Sequence, residues 1–144
     1  MIAVDTNILV YAHREDSPQH EKALDCVTAL ADSGAPWAIT WSGIHEFLSI
    51  VTHPRIYDPP TPLATAIEAL DAWQASPGLR LLSEGPGYFQ TLSSLALAGK
   101  IKGPKIHDAR IASICLHHGV KKLWSADRDF TAFPGLVCEN PLIQ

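Results

Sequence analysis

Short apolar runs alternate along the chain with longer stretches in which apolar residues return every three or four positions. Residues 1 to 5 (MIAVD) are a continuous apolar run ending in an acid, the pattern of a buried parallel strand. Thr6 or Asn7 can then cap a helix beginning at Ile8. Ser17 and Pro18 open a second helix, in which His20, Ala23, Leu24, Val27, Leu30 and Ala31 recur at helical spacing until Gly34. Residues 37 to 40 (WAIT) predict a strand, and Ser42 caps a third helix whose apolar stripe is Ile44, Phe47, Leu48 and Val51. Thr61 and Pro62 start a fourth, with Leu63, Ala66, Ile67, Leu70 and Trp73 on one face. There follow a strand at 79 to 82, a helix at 87 to 98, a basic loop at 99 to 105 and a helix from 107 to about 118 that stops at Gly119. A strand at 121 to 125, a turn carrying Asp127 and Asp129, and a strand near 136 to 139 complete the series. Strands alternating with helices predict an α/β fold with a mostly parallel sheet and helices on both faces.

Length and composition narrow the class. A chain of 144 residues with 47% hydrophobic positions suits one domain spanning 1 to 144, built on one continuous core. Asp5, Thr6 and Asn7 break the apolar start, so Met1 reads as a true start rather than the head of an address signal. No apolar run reaches the roughly 20 residues that cross a bilayer, so no membrane association is expected. Cys26, Cys115 and Cys138 are odd in number and set in apolar surroundings, which fits buried thiols in the cytoplasm better than a disulfide frame.

A net charge of −4 argues against a nucleic-acid partner, yet its distribution reverses that impression. Residues 100 to 128 carry Lys100, Lys102, Lys105, Arg110, Lys121, Lys122 and Arg128 against Asp108 and Asp127, so this segment is +5 and the remainder −9. It is either a phosphate-binding surface or a chance cluster on solvated faces.

Sites in open parallel sheets form at the carboxyl ends of the strands. Asp5 and Asp127 each follow a predicted strand, and Asp108 opens a helix on the stripe continued by Ile111, Ala112 and Cys115. Each has an ordinary alternative: Asp5 as a helix cap, Asp127 as a turn residue, Asp108 as a first-turn acid favoured by the helix dipole. Glu46 points away from the stripe of its helix and, on pattern alone, is a surface glutamate. If these acids converge, their repulsion calls for a cation, and hard oxygen donors without Cys or His favour Mg2+ or Mn2+ over zinc. The seven histidines form no HExxH or finger pattern, and no GxxxxGK cradle is present. His107 is singled out only by standing next to Asp108.

In order along the chain, VDTNILVYA (4 to 12), Glu46, HDARIASICLHHGV (107 to 120), LWSADRDF (123 to 130), FPGL and a terminal NPL resemble the PIN domain of VapC toxins. THPRIYDPP (52 to 60) also resembles a segment of a mycobacterial-type branch of these toxins. The resemblance implies a PIN-like three-layer α/β/α sandwich on a five-stranded parallel sheet, and Mg2+-dependent endoribonuclease activity by metal-activated water. It implies the toxin role in a type II toxin–antitoxin system, homodimerisation and inhibition by a VapB-like antitoxin. Carried over by residue, Asp5, Glu46 and Asp108 match the three core acids and Asp127 the more variable fourth, all as catalytic and metal-binding groups. Ser125 stands where Thr is commoner and keeps the hydroxyl. Lys102, Lys105 and Arg110 are the candidates for holding the RNA backbone. Two alternatives remain: a haloacid-dehalogenase-like phosphatase, which needs a second acid where Asn7 stands, and a catalytically silent PIN-like module that binds RNA or protein.

Overall fold

The computed structural model describes residues 1 to 128, 130 and 133 to 143. Asp129, expected in the turn after the fourth strand, lies outside the described residues. The elements are β1 (Ile2–Val4), α1 (Thr6–His13), α2 (His20–Asp32), β2 (Trp37–Thr40), α3 (Trp41–Val51), α4 (Leu63–Gln74) and β3 (Leu79–Leu82). After these come α5 (Tyr88–Ala98), a 3-10 turn (Gly103–Lys105), α6 (Ile106–His117), β4 (Lys122–Trp124) and β5 (Val137–Glu139). The five strands lie in the order β3-β2-β1-β4-β5, and every neighbouring pair is parallel.

The alternation of side chains along each strand divides the core into two layers. Ala3 of β1 and Ala38 of β2, register partners, face one side together with Leu82 and Leu123. That side is covered by α5 and α6 through Leu95, Ala109, Ala112, Ile114 and Cys115. Val4, Trp37 and Ile39 face the other side, where α1, α2, α3 and α4 contribute Ile8, Leu9, Val27, Phe47, Ala66 and Leu70. The result is the expected three-layer α/β/α sandwich. The chain reverses tightly into β3 at Gly78, where a Cβ would stand 2.3 Å from the Ala35 carbonyl oxygen, so that only glycine fits.

Helix starts differ from expectation by a residue or two, for identifiable reasons. Asp5, not Thr6 or Asn7, caps α1: its side chain accepts from the Thr6 amide, and the helix begins at Thr6. Thr40 rather than Ser42 caps α3, accepting from the Gly43 amide at 3.0 Å. Ser17 turns the chain before α2 by accepting from the Gln19 amide, and Gln19 occupies the cap position. Leu24, Leu63 and Ile67, expected on buried stripes, are 40%, 59% and 44% exposed. All three cysteines are free thiols: Cys115 is buried and Cys26 and Cys138 half-buried. No helix among the described residues is long and apolar enough to cross a membrane.

Candidate active site

The parallel ladder itself places the first acid and its hydroxyl partner. Beyond β1, the Asp5 amide still donates to the Trp124 carbonyl at 2.9 Å, and beyond β4 the Ser125 amide donates to the Glu139 carbonyl at 3.0 Å. Asp5 and Ser125 are therefore fixed side by side at the carboxyl end of the sheet. The Ser125 hydroxyl donates to Asp5 Oδ2 at 2.8 Å and accepts from the Asp127 amide at 2.9 Å and from Asn7 Nδ2 at 3.2 Å. Asn7 Oδ1 in turn accepts from the Ala126 amide at 3.2 Å. Asn7 is thus a structural pin between the turns after β1 and β4, which removes the position where a phosphatase of the dehalogenase type needs its second acid.

Asp5 is 8% exposed and serves two purposes at once, cap and cluster member. Burial pushes its carboxyl up to about 6; the hydrogen bonds from Ser125 and Thr6 oppose the rise, and the charges of Glu46 and Asp127 add to it. Glu46 is tied to the same centre because the Thr6 hydroxyl stands 3.4 Å from Glu46 Oε2 and 3.5 Å from the Gly43 carbonyl oxygen, the two acceptors within reach of its one proton.

The remaining wall comes from α6. Glu46, Ser42, His107, Asp108, Arg110 and Ile111 line a cleft of about 330 Å3 between the first turns of α3 and α6. Glu46 is exposed, as its place off the apolar stripe predicts, but the surface it occupies is the cleft. His107 is in the cleft as well. Ser42, Thr6 and the hub role of Ser125 were not foreseen as site features, since nothing in their spacing marks them. Asp127 borders a smaller hollow with Ser125, Cys138 and Asn140.

The structure therefore brings Glu46 and Asp127 each within electrostatic reach of Asp5, and Asp108 lines the same cleft as Glu46. Among the described residues, no group of three or more His, Cys, Asp or Glu side chains is arranged to hold a metal ion. The donor chemistry nevertheless suits a hard divalent cation: all oxygen, with one carboxyl held high by burial and by neighbouring acids, a penalty a cation would relieve.

The basic segment does not stay together. Lys102, Lys105 and Arg110 flank the start of α6 at the cleft end, whereas Lys121 and Lys122 stand at the amino end of β4, toward the opposite end of the sheet. Lys122 is paired there with Glu139 at 3.2 Å. Arg55 belongs to the loop after α3, also at that far end.

A larger cavity, about 450 Å3, opens at the opposite end of α1 among His13, Arg14, Pro59 and Thr61. Its polar groups satisfy each other. Arg14 donates to Asp16, to the Pro59 carbonyl and to the Thr61 hydroxyl, and its guanidinium lies 4.1 Å from the centre of the Tyr57 ring. That arrangement fastens the loop before α4.

The PIN domain family profile matches residues 2 to 136, and the chain belongs to this family. Among its relatives, ribonuclease VapC43 of Mycobacterium tuberculosis is 34% identical over 142 residues, covering 99% of this chain and 96% of that protein. Ribonuclease VapC48 of the same organism is 31% identical over 138 residues, covering 95% and 94%. The solved structure of VapBC2 from Rickettsia felis, bound to a DNA fragment from their promoter, superposes with a TM-score of 0.71. It shares 21% identity over 97% of this chain and 98% of that one, a likeness of fold. The family match sets aside the dehalogenase-like alternative.

Proposed function

We propose that this protein is a Mg2+-dependent endoribonuclease that acts as the toxin of a type II toxin–antitoxin pair. The observation that carries the proposal is that Glu46 and Asp127 both act on the buried Asp5 at the carboxyl end of the sheet, with Asp108 in the Glu46 cleft, in a PIN chain whose relatives are named ribonucleases. Asp5, Glu46, Asp108 and Asp127 would hold Mg2+ or Mn2+. Such an ion, when bound, neutralises charge on a phosphodiester and acidifies water. Ser125 and Asn7 hold the Asp5 carboxylate in one orientation, and Thr6 does the same for Glu46. Lys102, Lys105 and Arg110 at the rim supply positive charge for the RNA backbone. Hydrolysis of this kind leaves 5′-phosphate and 3′-hydroxyl ends.

Protein partners belong to the same proposal. Phe89 and Leu97 on α5 are 75% and 79% exposed, and Leu63 and Ile67 project from α4. Apolar side chains left in water in this way suit a second copy of the chain and a VapB-like antitoxin. The cytoplasm, where RNA and antitoxin are found, is the proposed location.

The deciding experiment is cleavage of single-stranded RNA by protein stripped with EDTA. Mg2+ or Mn2+ should restore activity, whereas Ca2+ should support it poorly because its looser geometry orients water less well. Undiminished cleavage in excess EDTA would exclude the metal mechanism.

A further inference from the structure

Arg110 lines the cleft beside Asp108 and Glu46, yet its Nε donates at 2.8 Å to Oε1 of Glu84, which lies outside the cleft in the connection between β3 and α5. That connection is fastened to α6 a second time. His118 Nε2 and the Ser83 carbonyl oxygen are 2.7 Å apart, a point about 12 Å further along the helix axis. Between these two fastenings the His117 ring meets Tyr88 edge-on, 6.3 Å between centroids, and a Cβ at Gly85 would stand 3.5 Å from its Nε2. Glu84 is therefore anchored at its backbone and is not a freely swinging surface acid.

An ion pair with side chains 47% and 37% exposed contributes little to folding. Its geometry suggests another use. A guanidinium has five N–H donors in a rigid fork, and the bond to Glu84 occupies one of them. The terminal nitrogens keep their capacity for an oxyanion, and an arginine held in place beforehand loses less rotamer freedom on binding.

We propose that Glu84 is a positioning residue that holds the Arg110 guanidinium at the cleft so that its terminal nitrogens take a backbone phosphate of single-stranded RNA. The proposal rests on the ribonuclease reading given above. It also runs against simple electrostatics, which makes it sharp: removing an acid near a polyanion should tighten binding, whereas removing a positioning residue should weaken it.

The test measures binding of a labelled single-stranded oligoribonucleotide to the full-length protein without Mg2+ over a range of salt, and KM and kcat with Mg2+. Arg110→Ala should flatten the slope of log K against log salt by about 0.7. Glu84→Gln should weaken binding by up to about fivefold, the coupling available to an exposed pair, raising KM with kcat and Tm unchanged. In an Arg110→Ala background, Glu84→Gln should do nothing further. The reversed pair, Glu84→Arg with Arg110→Glu, restores an ion pair and should not restore binding. Unchanged or tighter binding by Glu84→Gln overturns the proposal, as does an equal effect with Arg110 absent. If Arg110→Ala is silent while Mg2+-dependent cleavage persists, this inference alone falls; if the wild-type protein cuts no RNA, the ribonuclease reading falls and takes this inference with it.

Discussion

The two sides of the candidate site are built differently. On the β1–β4 side, Asp5 and Asp127 belong to a hydrogen-bonded cluster centred on the buried Ser125 hydroxyl, with Asn7 bridging two turns. On the α3–α6 side, Glu46 and Asp108 border an open cleft between two helix starts. Thr6, buried and bonded toward Glu46, joins them. Folding the sheet assembles the first side completely, because ladder bonds continue through Asp5 and Ser125. The second side depends on how two helices pack and leaves its polar wall open for a ligand. Substitutions at Asp5 and Ser125 on the first side should disturb stability as well as activity, and those on the second should act mainly on activity.

The largest expected effect is shared by both sides. Asp5→Asn and Asp108→Asn should each lower RNA cleavage by more than about 100-fold, beyond the loss typical of an outer-shell partner. A wild-type cleavage rate in either purified variant would remove that residue from the ligand set.

The comparison sharpens when pH is varied without metal. Asp5 has a folded pKa of about 6 against an ordinary 3.8, so between pH 4 and 6 the folded state binds more protons than the unfolded chain. Stability from this group is therefore present at low pH, falls as pH rises through that window and is roughly 3 kcal/mol lower above it. Asp5→Asn abolishes this dependence, apart from a constant offset for its altered bond to Ser125. In EDTA, the stability of Asp5→Asn minus that of wild type should climb from pH 4 to 6. A flat curve for Asp5→Asn would refute the effect of burial on this carboxyl.

Ser125→Ala tests the hub. It removes the donor to Asp5 and the acceptor for the Asp127 amide, so cleavage should fall about 10- to 100-fold and stability by about 1 to 3 kcal/mol. Ser125→Thr, which keeps the hydroxyl, should retain most activity. Equal loss in both variants would mean that shape, not the hydroxyl, matters there.

The same contrast explains what the sequence could convey. Element order and strand direction were legible from periodicity, and Asp5 and Asp127 from their places after apolar runs. Glu46 was legible only by family resemblance, because the pattern of α3 distinguishes buried from exposed positions and not cleft from open solvent. Leu24, Leu63 and Ile67 show the same limit from the other direction: helical spacing finds an apolar face but not what covers it. The Glu84–Arg110 pair joins residues 26 apart through the β3–α5 connection, and neither residue's local pattern points to the other. Helix caps moved because several hydroxyls and acids stand within one turn of each start, and strand-end geometry selects among them.

The basic segment shows most clearly how folding revises a linear pattern, and it yields the smallest predicted effect. Residues 100 to 128 read as one patch, but the 12-residue α6 runs through it and carries its two ends toward opposite ends of the sheet. Lys102 and Lys105 remain near the cleft, whereas Lys121 and Lys122 stand at the far end. If the cleft end holds phosphates, Lys102→Ala with Lys105→Ala should reduce the salt slope for single-stranded RNA by about 0.7 for each lost contact and weaken binding across sequences alike. Lys121→Ala with Lys122→Ala has the same formal charge change and should leave the slope nearly unaltered, since the field of exposed charges is screened within about 10 Å at 0.1 M salt. Equal reductions from both pairs would show that RNA follows net charge rather than the cleft. No reduction from the Lys102 and Lys105 pair would return that stretch to an ordinary solvated face.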